Sequence, residues 1–139
     1  MSGMNRHFGV KWPGVWIGGG IFWVGLVIYL SVAAVALPQL PSSIGDKINH
    51  AVAYGFLMLW FGQIFHSKLS RLYLAMAFIS LGMAMEIAQG ALPHRWFDLM
   101  DGLANTVGVV LGLILLAAGT DKLFCKLEQW RQPGGNGTG

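Results

Sequence analysis

From Val15 to Leu37 the chain carries no charged residue at all. An apolar run of that length is near the ~20 residues needed to cross a hydrocarbon core. In such an environment every backbone N–H and C=O has to be satisfied within the segment, which leaves a helix as the open choice for an isolated span. Three further stretches, at about 48–65, 72–92 and 98–118, have similar length, and with the first at about 14–37 they predict an all-α, integral membrane four-helix bundle. The composition agrees: of 139 residues, 55% are hydrophobic and only 11% charged, against roughly 25% charged in a soluble domain.

Residues 1–132 are read as a single transmembrane domain. Pro38, Pro41, Ser42 and Ser43 mark a loop after the first span. Asp121 to Arg131 reads as an interfacial helix, and 133–139 as a Gly-rich disordered tail. Ala34-Val35-Ala36 resembles a signal-peptidase site, but the apolar run before it exceeds the usual h-region, so the first span is read as an uncleaved helix. The sequon Asn136-Gly137-Thr138 is read as chance. The lone Cys125 excludes an intrachain disulfide and sits as a small apolar residue at a helix end.

Arg6, Lys11, Lys68, Arg71, Lys122, Lys126 and Arg131 all fall on one side of the expected membrane, leaving Lys47 and Arg95 on the other. The positive-inside rule then places both termini in the cytoplasm, with outer loops near 38–47 and 93–97. Trp12, Trp16, Trp96 and Trp130 lie near the expected interfaces, where amphipathic rings are favoured. The scattered basic residues form no aromatic-studded face, which argues against nucleic acid as a partner.

Against this apolar background ten polar residues gather toward one end of the helices: Asp46, Lys47, His50 and Tyr54 opening span two, Glu86 and Gln89 closing span three, and Arg95, Asp98, Asp101 and Asn105 opening span four. Ionisable groups at such depth are costly and are read first as functional. Asp98, Asp101 and Asn105 fall within roughly 60° of one another on a helix of about 100° per residue. Gly108 and Gly112 continue that stripe inward as a G-x-x-x-G that lets helices approach closely. A bland alternative stands beside this. Asp46, Asp98 and Asp101 suit the positive end of a helix, Arg95 has Glu86 or Asp98 for an ion-pair partner, and Lys47 has headgroups to snorkel toward. Glu86, His50 and Asn105 lie deeper than capping requires.

Four acidic residues against Lys47 and Arg95 give the cluster a formal charge of −2, with His50 and His94 nearby. A plain anion site is not built this way. Protonation, a cationic ligand, or a divalent cation bridging carboxylates to a lipid phosphate reconciles the signs, although no strong metal-ligand spacing such as H-E-x-x-H is present.

Asp46-Lys47-x-x-His50-x-x-x-Tyr54, Glu86-x-x-Gln89 and Arg95-x-x-Asp98-x-x-Asp101-x-x-x-Asn105-x-x-Gly108, taken in this order and followed by Gly112, resemble the VanZ-like family of small bacterial membrane proteins. The motif covers about 46–112, roughly half of the chain. The resemblance implies a multi-pass protein of the bacterial cytoplasmic (inner) membrane and a cell-envelope setting. It also brings a link through the founding member to low-level resistance to the glycopeptide teicoplanin, with no reaction and no known cofactor attached. The leading expectation is an outer-facing pocket that binds a lipid-linked envelope molecule or lipoglycopeptide. In it Lys47 and Arg95 contact phosphate and the other polar residues recognise the ligand. The alternatives are a small intramembrane hydrolase or transferase acting on a lipid phosphate, with Glu86 or an Asp as base and His50 as relay, and, behind it, a proton-coupled transporter or a structural scaffold. Beyond the bilayer itself, a homo-oligomer through the Gly18-Gly19-Gly20 face of span one is a further expectation.

Overall fold

A computed structural model of the chain describes residues 8–33, 43–93 and 95–131. The described residues form five α-helices and no strand: α1 (Pro13–Val32), α2 (Ser43–Ile64), α3 (Lys68–Gly90), α4 (Leu99–Ala117) and α5 (Leu123–Trp130), with a single 3₁₀ turn over Thr120–Lys122 before α5. An isolated bridge joins Phe8 to Phe65. The fold is all-α, as expected. The expected loop at Pro38–Ser42, the Ala34-Val35-Ala36 site, Arg6, His94, the sequon and the 133–139 tail lie outside the described residues.

Each helix begins and ends where its sequence provides for it. Pro13 opens α1, where its missing N–H costs nothing. The Ser67 hydroxyl accepts from Ser70 N at 3.0 Å to cap α3, and the Asp98 carboxylate accepts from Met100 N at 2.8 Å to cap α4. α4 ends ahead of Gly119, whose φ of +104° is a conformation that side chains other than hydrogen resist. The outer-loop expectation for 43–47 is corrected: these residues already belong to α2, with Asp46 in its first turn.

Three helices, α1, α3 and α4, are long and apolar enough to cross a membrane, which marks the chain as a membrane protein. α2 is as long, at 22 residues, but Asp46, Lys47, Asn49, His50 and Gln63 dilute it. Its position accounts for this. α2 packs most extensively on α4 and also touches α1, α3 and α5, so its polar residues face protein rather than lipid.

Glycines set the α2–α4 distance. A Cβ on Gly108 would lie 2.1 Å from the Ala51 carbonyl oxygen, and one on Gly112 would lie 2.9 Å from Met58 Cβ. Only hydrogen fits, so the expected G-x-x-x-G is a backbone-to-backbone contact. Around it close Tyr54, Leu57, Met58, Phe78, Val109 and Leu116. A smaller core of Val10, Ile64 and Phe124 with Trp16 and Trp60 packed against it joins α5 to the start of α1. α1 is the most loosely held of the long helices, with Gly20 its one buried residue.

Candidate functional site

Antiparallel packing brings the start of α2, the end of α3 and the start of α4 to one end of the molecule, and the side chains converge there. Lys47 Nζ donates to Asp98 Oδ2 at 2.9 Å and to Asp101 Oδ1 at 3.0 Å. This corrects the ion-pair expectation: Lys47, not Arg95, takes the acidic pair of α4, and Arg95 makes no ion pair with a described residue. Because Asp98 also accepts from the Met100 N–H, its carboxyl is held below the ordinary carboxylate range, chiefly by the Lys47 hydrogen bond and then by that backbone donor.

His50 occupies the centre. Its Nδ1 lies 3.0 Å from Asn105 Oδ1 and 3.8 Å from Glu86 Oε1, and its Nε2 lies 3.7 Å from Asp101 Oδ2. With Asn105 Oδ1 accepting, Nδ1 carries the proton and Nε2 turns its lone pair toward Asp101, a tautomer assigned from the hydrogen-bond pattern. Asp46, His50 and Asp101 each place one ligand atom so that all three lie within 4.8 Å of one another. These three side chains would be the ones to hold a cation. The sequence spacing alone did not reveal this triad, because its third member comes from another helix.

Below this layer the polar groups lack partners. Tyr54, Glu86 and Asn105 are 1%, 0% and 1% exposed. Tyr54 OH, both Glu86 oxygens and Asn105 Nδ2 have no hydrogen-bond partner among the described residues. Each such group forfeits about 1–3 kcal/mol, and more if charged. Buried polar groups are nearly always satisfied in native structures, so four unmet atoms on three helices set this region apart from the rest of the described core.

A cavity of about 90 Å³ opens beside the cluster, lined on the polar side by Asp46, Asn49, His50, Tyr54, Gln89 and Arg95. Its other wall is apolar, made by Val27 and Leu30 of α1 with Ala53 of α2. Gln89 Nε2 donates to the Ser31 carbonyl at 2.8 Å, tying α3 to α1 across the mouth. Sequence reasoning missed Asn49 and Ser31. Asn49 sits one residue before His50 and could have been found by its polarity. Ser31 acts through its backbone, which no residue type advertises. All ten expected residues thus meet at this end, eight in the hydrogen-bonded and ionic cluster or its buried floor, with Gln89 and Arg95 on the cavity wall.

The VanZ/LLP1 family profile matches residues 12–120. The chain belongs to the VanZ/LLP1 family. The match takes in α1 to α4 whole and therefore every residue of the cluster. An uncharacterized protein of the fission yeast Schizosaccharomyces pombe is 35% identical over 100 residues, 68% of this chain. The match spans only 59% of that relative's length. No solved structure matches the chain significantly.

Proposed function

We propose that this VanZ/LLP1 protein is a membrane-embedded hydrolase that uses a divalent cation to cleave a phosphate from a membrane lipid. One observation carries the reading. Glu86 is fully buried with both carboxylate oxygens unpartnered, beside an Asp46–His50–Asp101 set able to hold a cation. His50 Nδ1 stands 3.8 Å from Glu86 Oε1, but no hydrogen bond occupies the carboxylate lone pairs, which is what a general base requires.

The chemistry follows from the placement. Asp46, His50 and Asp101 would hold the cation, and a mixed carboxylate–imidazole set suits a first-row ion such as Mn²⁺ or Zn²⁺. Such an ion would supply Lewis-acid charge that offsets the negative cluster toward a phosphate. Arg95 on the cavity wall adds a second positive contact. A water oxygen bonds to phosphorus while its proton passes to Glu86. The bond from phosphorus to the bridging oxygen breaks, and that oxygen takes a proton from solvent. Asn105 positions His50 by accepting from Nδ1.

The apolar wall of Val27 and Leu30 supports a lipid as the phosphate carrier, since a soluble phosphate ester leaves that wall wet. The fungal relative supports a phosphorylated lipid common to bacteria and fungi over a lipoglycopeptide or a peptidoglycan precursor, because fungi build no peptidoglycan. α2 joins α1, α3 and α4 in crossing the membrane, with both termini on the basic, cytoplasmic side and the pocket facing out.

The test is phosphate release from a panel of polyprenyl and diacylglycerol phosphates by purified protein, with Mn²⁺, Zn²⁺ or Mg²⁺ and with chelator. Release that needs the cation and disappears in Glu86→Gln is expected. Stoichiometric lipid binding with no release under any of these ions would leave a recognition pocket and sink the hydrolytic reading.

A further inference from the structure

A second, larger cavity lies at the opposite end from the polar cluster. A groove of about 550 Å³ runs between the first turns of α1 and the last turn of α5, lined by Trp12, Val15, Trp16, Leu127, Trp130 and Arg131, with Glu128 at its base. That volume falls within the roughly 300–1,000 Å³ of small-molecule sites. Its floor is fixed. Trp16 stacks on Phe124 with ring centroids 3.9 Å apart, and its indole N–H donates to Glu128 at 2.9 Å. Its walls are open: Trp12, Val15 and Trp130 are 59%, 68% and 79% exposed.

The electrostatics select the occupant. Six described basic residues gather at this end, Lys11, Lys68, Arg71, Lys122, Lys126 and Arg131, against two acidic ones, Asp121 and Glu128. Both acids are engaged. Asp121 takes Arg71 at 3.2 Å, and Glu128 accepts from Lys11 N, Trp12 N and the Trp16 indole. Glu128 keeps its charge in the groove but is held by those three N–H donors, and Arg131 on the lining makes no ion pair with a described residue. With Lys11 and Lys126 close in sequence to the two walls, the balance at this end stays positive, six basic residues to two acidic ones. The required partner is an amphiphile with an apolar chain and an anionic head.

We infer that the α1–α5 groove is a binding site for an anionic phospholipid of the adjoining leaflet. One acyl chain lies between Trp12 and Trp130 over Val15 and Leu127, and the phosphate meets Arg131. The site stands apart from the catalytic proposal in position and in chemistry, because it collects positive charge where the other end collects negative. It anchors α5 and the start of α1 to the membrane surface at a fixed depth, with the two tryptophans in the interfacial layer.

Native mass spectrometry of the full-length protein, offered equal amounts of phosphatidylglycerol and phosphatidylcholine with identical chains, tests it. The expected result is one retained lipid with about fivefold or greater preference for phosphatidylglycerol, the effect of about one basic residue near a membrane surface. Arg131→Gln brings the preference close to one, and Trp130→Ala weakens retention of both lipids alike. Both side chains are exposed, so neither change unfolds the protein. Lys68→Gln, at the same end but off the groove, leaves the preference intact. Equal retention by the wild type overturns the inference, as does an equal loss in Lys68→Gln, which would mean a diffuse field. A gain of lipid on deleting 132–139 would show that the tail fills the groove and would overturn it too.

Discussion

The two ends of this molecule both bury polar side chains and treat them in opposite ways. At the α5 end no buried side-chain polar atom of a described residue lacks a hydrogen-bond partner. Glu128 accepts three N–H groups within 2.8–3.1 Å. Gln63 donates to the Thr120 carbonyl and accepts from Leu123 N at 2.9 Å. Arg71 donates to the Phe65 and Gly62 carbonyls and to Asp121. At the other end Tyr54, Glu86 and Asn105 keep four unmet atoms. α2 runs through both ends, carrying His50 and Tyr54 at one and Gln63 at the other. Polar groups that hold a fold together are saturated by it, and groups that meet a ligand are left with valence to spare.

The contrast breaks most readily at its two glutamates. Glu86→Gln is expected to lower lipid-phosphate turnover by about 10²-fold or more, the scale of general-base removal, while the thermal midpoint stays level or rises because a buried carboxyl without a hydrogen-bond partner is replaced by a neutral amide. Lost stability with turnover intact would make the two ends alike and end the functional reading.

Gly108→Ala sharpens the claim that one contact serves both ends. Its Cβ meets the Ala51 carbonyl oxygen, and overpacking of that kind costs about 1–3 kcal/mol. A lowered Tm is expected together with loss of turnover. Gly25→Ala, where a Cβ meets nothing within 4 Å, is the control and leaves Tm unchanged or slightly higher.

Glu128→Gln is expected to loosen α5 alone, at about 1–2 kcal/mol for weakened charge-assisted hydrogen bonds. Tryptophan emission from Trp12, Trp16 and Trp130 would report it, with turnover untouched. A fall in turnover would show the ends to be coupled.

The smallest effect is in pH. Burial would raise the carboxyls of Glu128 and Asp121. The N–H donors of Lys11, Trp16 and Trp12 around Glu128, and Arg71 beside Asp121, more than offset it and hold both below their ordinary values of 4.5 and 3.8. A depressed carboxylate contributes stability that is present above its unfolded value and is lost as pH falls through the folded one. The tryptophan signal of α5 is therefore expected to hold from neutral pH to about pH 5 and to fade only in stronger acid, whereas Glu128→Gln and Arg71→Gln weaken α5 already at neutral pH and flatten its dependence on acid. Loss of the signal already near pH 6 would contradict the saturated reading of this end.

Much of this was legible in the chain. An uncharged run from Val15 to Leu37 leaves helix as the natural solution, and the positions of Asp46, His50, Glu86 and Asn105 on antiparallel helices bring them to one end whatever the packing details. The G-x-x-x-G of Gly108 and Gly112 announced a close approach. Their order and spacing were enough to indicate the family.

Pairing across helices was not legible, because helical periodicity fixes which face a residue occupies and says nothing about what stands opposite. Lys47 rather than Arg95 takes Asp98 and Asp101 because α2 and α4 touch at Gly108, which brings the start of α2 directly over the start of α4. The same contact brings Asp46 and His50 of α2 to Asp101 of α4 and makes a three-residue set out of two spacings that meant little separately. Which polar atoms are satisfied depends on the last ångström of that packing. The sequence determined that costly polar groups would gather at one end of the helices; the tertiary structure decided that four polar atoms of Tyr54, Glu86 and Asn105 would be left without hydrogen bonds there, while the buried groups at the other end would be closed.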